Sequence, residues 1–195
     1  MANQIRIAMW SGPRNISTAM MRSFENRPDT VVEDEPFYAH YLLKTRVNHP
    51  LREQTIASQE HDWYIISERL TSDIPKGKTI WYQKHMAQHN LPGYDLEWTK
   101  KMVNCFLIRD PREVILSFQS KFDITSALQL GFLQQLELFN KLKDETGKIP
   151  PVINAKDVLT DTVETLKILC VMLGIPFRDE MLLWPRGPRK NDGVW

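Results

Sequence analysis

Five short apolar runs, separated by amphipathic helical stretches, leave this chain few folds to choose from. The runs are Ile5–Trp10, Thr30–Glu33, Thr79–Gln83, Asn104–Ile108 and Val152–Asn154. Helical patterns cover Ile16–Glu25, Trp63–Leu70, Pro111–Gln119, Ala127–Glu145 and Thr162–Leu173. In Ala127–Glu145, the residues Leu128, Phe132, Leu136, Phe139 and Leu142 recur every three to four positions, which predicts one buried face. Gly174 and Pro176 stop the last helix. Strands alternating with helices predict a three-layer α/β/α fold around a central, mostly parallel five-stranded sheet. Ligands then bind at the carboxyl ends of the strands. The chain reads as a single domain, 1–195, with a polar, irregular cap insertion at about 37–78 that shapes an acceptor site.

Two of the strand-to-helix turns carry the chemistry. The first is Ser11-Gly12-Pro13-Arg14-Asn15-Ile16-Ser17-Thr18, whose small residues, hydroxyls and single arginine suit an anion. Backbone N–H groups at a helix start point at such a ligand, and Arg14 adds charge. The second is Phe106-Leu107-Ile108-Arg109-Asp110-Pro111, with Arg109 at a strand end and Ser117 eight residues on. Two anion sites on one sheet suggest a ligand with phosphate at both ends. Net charge is only +1, so no global field argues for nucleic acid or an anionic membrane. Anion binding must come from local placement.

The first loop fails as an ATP cradle. A kinase-type loop needs G-x-x-x-x-G-K-[ST], but counting from Gly12 puts Ser17 and Thr18 where the second glycine and the lysine belong. What survives suits a smaller charge than a magnesium triphosphate. No stretch is long enough to span a bilayer, and a cytoplasmic location is expected. Cys105 and Cys170 sit among apolar neighbours and read as buried thiols rather than a disulfide or a metal pair.

The string W-S-G-P-R-N-I-S-T-A-M, then E-P-F, then F-L-I-R-D-P-R-E-V-I-L-S-F, resembles the sulfotransferase superfamily, within it the bacterial sulfotransferase-like proteins. The resemblance implies a P-loop NTPase-like fold and the donor 3′-phosphoadenosine-5′-phosphosulfate (PAPS), with no metal. It implies a small-molecule acceptor carrying a hydroxyl or amine. Carried over, Arg14, Asn15, Ile16, Ser17 and Thr18 hold the 5′-phosphosulfate, and Arg109 and Ser117 grip the 3′-phosphate. Ile16 stands where many members have glycine. Arg189 and Lys190 belong to a tail similar to the family's Arg-Lys-Gly clamp, one residue shorter.

For chemistry, Glu35 in Glu33-Asp34-Glu35-Pro36-Phe37 occupies the position of a glutamate base in several branches, while Glu33 and Asp34 read as a solvated turn. Other branches use Lys-x-His after the third strand. Lys84 matches; His85 falls one position early and His89 three late. Tyr38, His40 and Trp63 are candidates to line an acceptor pocket. Two further readings stay open: a P-loop nucleotide or small-molecule kinase, and a non-catalytic nucleotide-binding protein of the same fold.

Overall fold

The computed structural model describes residues 4–75, 77–189 and 191–192. Strand β1 (Ile5–Ser11) leads through a loop into helix α1 (Ser17–Glu25), then β2 (Thr30–Asp34). Three short helices follow, α2 (Tyr38–Thr45), α3 (Arg52–Ser58) and α4 (Trp63–Leu70), before β3 (Ile80–Met86). Next come β4 (Val103–Ile108), α5 (Pro111–Gln119), α6 (Phe132–Thr146), β5 (Val152–Asn154), α7 (Ala155–Thr160) and α8 (Thr162–Leu173).

All five strands are parallel, in the order β2-β3-β1-β4-β5. Alternate residues of β1 serve opposite faces. Ile7 and Met9 pack with Met20, Met21 and Phe24 of α1 and with Leu166, Leu169 and Cys170 of α8. Ala8 and Trp10 pack with Trp63, Ile66 and Leu70 of α4 and Leu138 and Leu142 of α6. The connection β1→β2 runs one way along the sheet and those ending in β3 and β5 run the other. A single hand of crossover puts connections of opposite direction on opposite faces, which is where α1 and the pair α4 and α6 lie. A strand buried on both faces reads as a near-continuous apolar run, as Ile5–Trp10 does.

The segment expected to be an irregular cap is helical. Many of its polar residues face outward, though His40, Thr55 and Ser67 are buried, while Phe37, Trp63, Ile66 and Leu70 complete the core under the sheet. The long helical pattern at Ala127–Glu145 divides into a 3₁₀ turn, Ala127–Leu130, and α6, because Gly131 takes φ +72 between them. Cys105 and Cys170 are free and buried, and burial pushes the Cys105 thiol up to about 12.

Candidate active site

β1 and β4 are neighbours, yet the chain leaves β1 toward β2 and β4 toward β5. The connections that follow them therefore part to opposite sides, which in an open α/β sheet makes a crevice outside the strand ends. Ser11 pairs in register with Leu107 at this edge. The loops that follow carry the two anion candidates, and the structure joins them into one cluster. Arg14 Nε donates to Ser117 Oγ at 3.0 Å, and Arg109 Nη1 donates to the Arg14 carbonyl at 2.7 Å. Arg109 Nε also pairs with Glu113 at 2.9 Å, one turn into α5. Asn15 stitches the loop down: its Nδ2 donates to Leu107 O at 3.0 Å, while its Oδ1 accepts from the Ile16 amide at 2.9 Å.

Helix α1, like α2, α3 and α6, begins without a side-chain cap. Helices α4, α5, α7 and α8 start with Asp62, Asp110, Asn154 and Asp161, each of whose side chains accepts from a first-turn amide. Ile16 precedes α1 with φ −80 and ψ 23 and has no side chain that could do so. The left-handed residue of this loop is Arg14, at φ 55. A β-branched side chain at Ile16 is thus no obstacle to the loop, and it leaves the orphan N–H groups of the first turn without a side-chain cap. Ser17 lies buried at that start and Thr18 is exposed beside it. The donor set (helix amides, hydroxyls and two guanidinium groups) fits a phosphate or sulfate ester.

A second cluster sits at the carboxyl ends of β2 and β3. The sequence pattern ended the third strand at Gln83, because Gln83-Lys84-His85 is polar. The strand in fact continues to Met86, and all seven of its residues are buried. Lys84 pairs laterally with Asp34 of β2. Its Nζ donates to Asp34 Oδ1 and to Glu35 Oε1, both at 2.7 Å. Asp34 is therefore an ion-pair partner, not part of a solvated turn; likewise Glu33 is tied to Arg69. The missed signal was register: Asp34, the last residue of β2, and Glu35 just after it meet a lysine only once strand pairing is known.

Glu35 takes φ 45 immediately before Pro36, a left-handed geometry that a non-glycine residue adopts at a cost of about 1 kcal/mol. Two hydrogen bonds hold it there: its amide donates to Lys84 O and its carbonyl accepts from the Tyr38 amide, both at 3.0 Å. Burial pushes the Glu35 carboxyl up, but Lys84 and then His89 pull it back, and the net shift is downward. Asp34, where burial dominates and Glu35 repels, is held above its usual range. Burial opposes the charge on Lys84, yet its two carboxylates hold its pKa above normal. The outcome is an ionised Glu35 pinned by an ammonium.

His89 occupies a 3₁₀ turn, Ala87–His89, with Nε2 4.0 Å from Glu35 Oε2. Its ring stacks between Tyr38 and Tyr41, at centroid distances of 5.2 and 4.8 Å. Burial, only partly offset by Glu35, lowers its pKa to about 4, so the imidazole is neutral at pH 7. His85 does not join this group. It faces the opposite side of β3, stacks on Trp10 at 4.4 Å and pairs with Gln83 Oε1 at 3.2 Å. Burial, with His89 nearby, lowers it to about 3. Alternation along a strand separates Lys84 from His85 by a whole sheet thickness.

The remaining candidates divide. Trp63 is core, its Nε1 donating to Asp95 O at 3.0 Å, and His40 is buried with Nδ1 against the His61 carbonyl at 2.8 Å. Tyr38 stays at the site, its hydroxyl 2.6 Å from His49 Nδ1. The hydrogen bonds of Arg189 run to Asp192 and to Pro185 O, and that segment docks on Arg22 and Glu25 at the far end of α1, away from the loop. Lys190 lies outside the described residues. Among the described residues, no group of three or more His, Cys, Asp or Glu could hold a metal ion, and no helix is long and apolar enough to cross a membrane.

Comparisons with known proteins bear on the fold and the family. "Branched-chain-amino-acid aminotransferase-like protein 1" of Arabidopsis thaliana is 36% identical over 198 residues, covering 100% of this chain and 35% of that protein. The chain thus spans about a third of the length of the curated relatives it matches. A sulfotransferase crystal structure from Alicyclobacillus acidocaldarius superimposes with a TM-score of 0.60 at 13% identity, covering 94% of this chain and 87% of that one. A mouse sulfotransferase complexed with PAP gives 0.50 at 14% identity, covering 93% and 62%. These two share the fold. A family model described as "Sulfotransferase domain" matches residues 5–195, and with nearly its whole length inside that match, the chain belongs to the sulfotransferase-domain family.

Proposed function

We propose that this chain is a sulfotransferase that moves a sulfuryl group from PAPS to a hydroxyl or amine of a small molecule. The observation that carries the reading is the linked cluster of Arg14, Ser117 and Arg109 beside the uncapped start of α1. When bound, PAPS supplies the activated sulfuryl group. The α1 amides with Arg14, Ser17 and Thr18 hold the phosphosulfate end, and Arg109 with Ser117 the 3′-phosphate. Such fixed donors stabilise charge that grows on the leaving phosphate oxygen, as in phosphoryl transfer.

Glu35 is the base in this reading. It is ionised and lies at the strand ends, and it takes the proton lost by the acceptor heteroatom as the new bond to sulfur forms. His89, neutral and 4.0 Å away, is the nearest group able to pass that proton on. Lys84 is a positioning residue, because both of its hydrogen bonds already go to carboxylates. The helices within 37–78 cover the acceptor side.

Calorimetry with the product 3′-phosphoadenosine-5′-phosphate (PAP) tests the reading directly. Hydrogen bonds to a charged group contribute about 1.5–3 kcal/mol, so Arg109→Ala is expected to weaken PAP at least tenfold. Wild-type protein that takes up no PAP at high micromolar concentration would sink the proposal.

A further inference from the structure

A cavity of about 730 Å³ is lined in part by Tyr41, whose ring stacks on His89. Its walls come from the chain after β3 and from the 3₁₀ turn and first turns of α6. Leu91, Leu96, Leu128 and Leu133 give it an apolar surface. Four amide side chains, Gln88, Asn90, Gln129 and Gln134, interrupt that surface. Four of their polar atoms have no hydrogen-bond partner: Gln88 Oε1, both terminal atoms of Asn90, and Gln134 Oε1. Leaving such buried atoms unpaired costs about 1–3 kcal/mol each, so a concentration of them on one wall calls for an explanation. Gln88 is also confined. A Cβ on Gly131 would stand 3.0 Å from its Oε1, so the glycine makes room for this amide.

The charges on the rim argue about the ligand. Among the described residues, the lining holds two ionisable groups besides Tyr41 and Tyr94, namely Glu137 and Lys141. Lys141 is engaged by Glu145 at 3.0 Å and Glu97 at 4.0 Å. No unpaired cation therefore awaits an anionic ligand, and Glu137 repels one. A cation would lose its hydration against the leucines, and Glu137, exposed at the rim, offsets little of that cost. The unpaired set offers three acceptors and one donor. A ligand with an apolar body and a hydroxyl or amide matches this set through small rotations of the terminal amides, which are soft torsions.

We propose that this cavity binds the acceptor and selects uncharged molecules with an apolar body and at least one amide or hydroxyl group. The acceptor role rests on the sulfotransferase reading above; the preference for uncharged ligands rests on the cavity alone. Gln88 and His89 are consecutive in the 3₁₀ turn, and Tyr41 touches both the cavity and the His89 ring. Glu35 and His89 do not line the cavity themselves; Gln88 and Tyr41 are the residues that connect it to them.

Three phenols of one size test it: 4-hydroxyphenylacetamide, 4-hydroxyphenylacetate and tyramine, which are neutral, anionic and cationic. Calorimetry is run on the full chain without nucleotide, and PAP affinity is measured separately. The amide is expected to bind at least tenfold tighter than either charged analogue. Asn90→Leu should weaken it tenfold or more, and Leu133→Trp, placed at a half-exposed position, should fill the cavity and abolish binding. Both variants should keep wild-type affinity for PAP. Equal binding of the three phenols, or amide binding that survives Leu133→Trp, overturns the proposal. Amide binding without PAP binding would instead remove the donor reading and leave the cavity assignment standing. PAP binding without any amide binding would do the reverse.

Discussion

At the scale of single residues, Lys84 shows how burial and charge set each other. Its side chain is 4% exposed and its two carboxylate partners are little more open. Removing one partner of a buried ion pair strands the other charge, which costs about 3–5 kcal/mol. Lys84→Met is therefore expected to lower unfolding stability by that amount, as read from urea midpoints. Adding Asp34→Asn to it should restore part of the loss, since one of the two stranded carboxylates is then gone. A single variant as stable as wild type would show that the lysine does not hold the pair together. Glu35 and Lys84 were legible as candidates from strand-end position and residue type. Asp34 was not, because its role depends on which strand lies beside β2, and lateral register is absent from local pattern. His85 misled for a related reason: adjacent letters look like neighbours, but a strand points them to opposite faces.

At the scale of elements, the boundaries that were legible had local chemistry behind them. Pro111–Gln119 and Thr162–Leu173 match the structure residue for residue, and Trp63–Leu70, read as part of a helix, is the whole of one, helped by Asp62 and Asp110 at the starts of α4 and α5 and Gly174 at the end of α8. Helices α2 and α3 were missed because they have no side-chain cap and are held by tertiary packing; Phe37, just before α2, stacks on Trp63 at 4.1 Å. Gly12 makes the connection between elements testable. A Cβ there would lie 2.6 Å from the Leu130 carbonyl oxygen, so the β1 loop and the turn before α6 meet backbone against backbone. Overpacking of this kind costs about 1–3 kcal/mol. Gly12→Ala should therefore destabilise the fold by that amount and raise amide-hydrogen exchange around Leu130. Unchanged exchange there would place the contact elsewhere.

At the scale of the whole molecule, buried histidines tie the fold to pH. Burial lowers His85 to about 3, His89 to about 4, and His40 below its ordinary value. In the unfolded chain these rings titrate near 6.5, so below that pH the unfolded state binds more protons than the folded one. Stability is then fully present above pH 6.5 and declines as the pH falls. Glu33 and Asp34, pushed up chiefly by burial, act in the opposite sense in the carboxylate range. The decline should thus be clearest just below pH 6.5. Each ring contributes a slope of at most about 1.4 kcal/mol per pH unit. His85→Gln is expected to reduce the slope of urea stability between pH 6.5 and 5 by up to that amount, and an unaltered slope would mean that His85 is charged in the fold.

The sheet order shows why the fold itself was easier to read than its site. Apolar runs and helical periods specify layers, whereas the crevice between β1 and β4 exists only through the order in which strands are laid down. One consequence lies in the hydrogen bonds already present there. Arg14 is latched to Ser117, and Arg109 to the Arg14 carbonyl and Glu113. Under the proposed function, a bisphosphate would gain its contacts by exchange with these internal bonds, so its affinity would measure the difference between two hydrogen-bonded states.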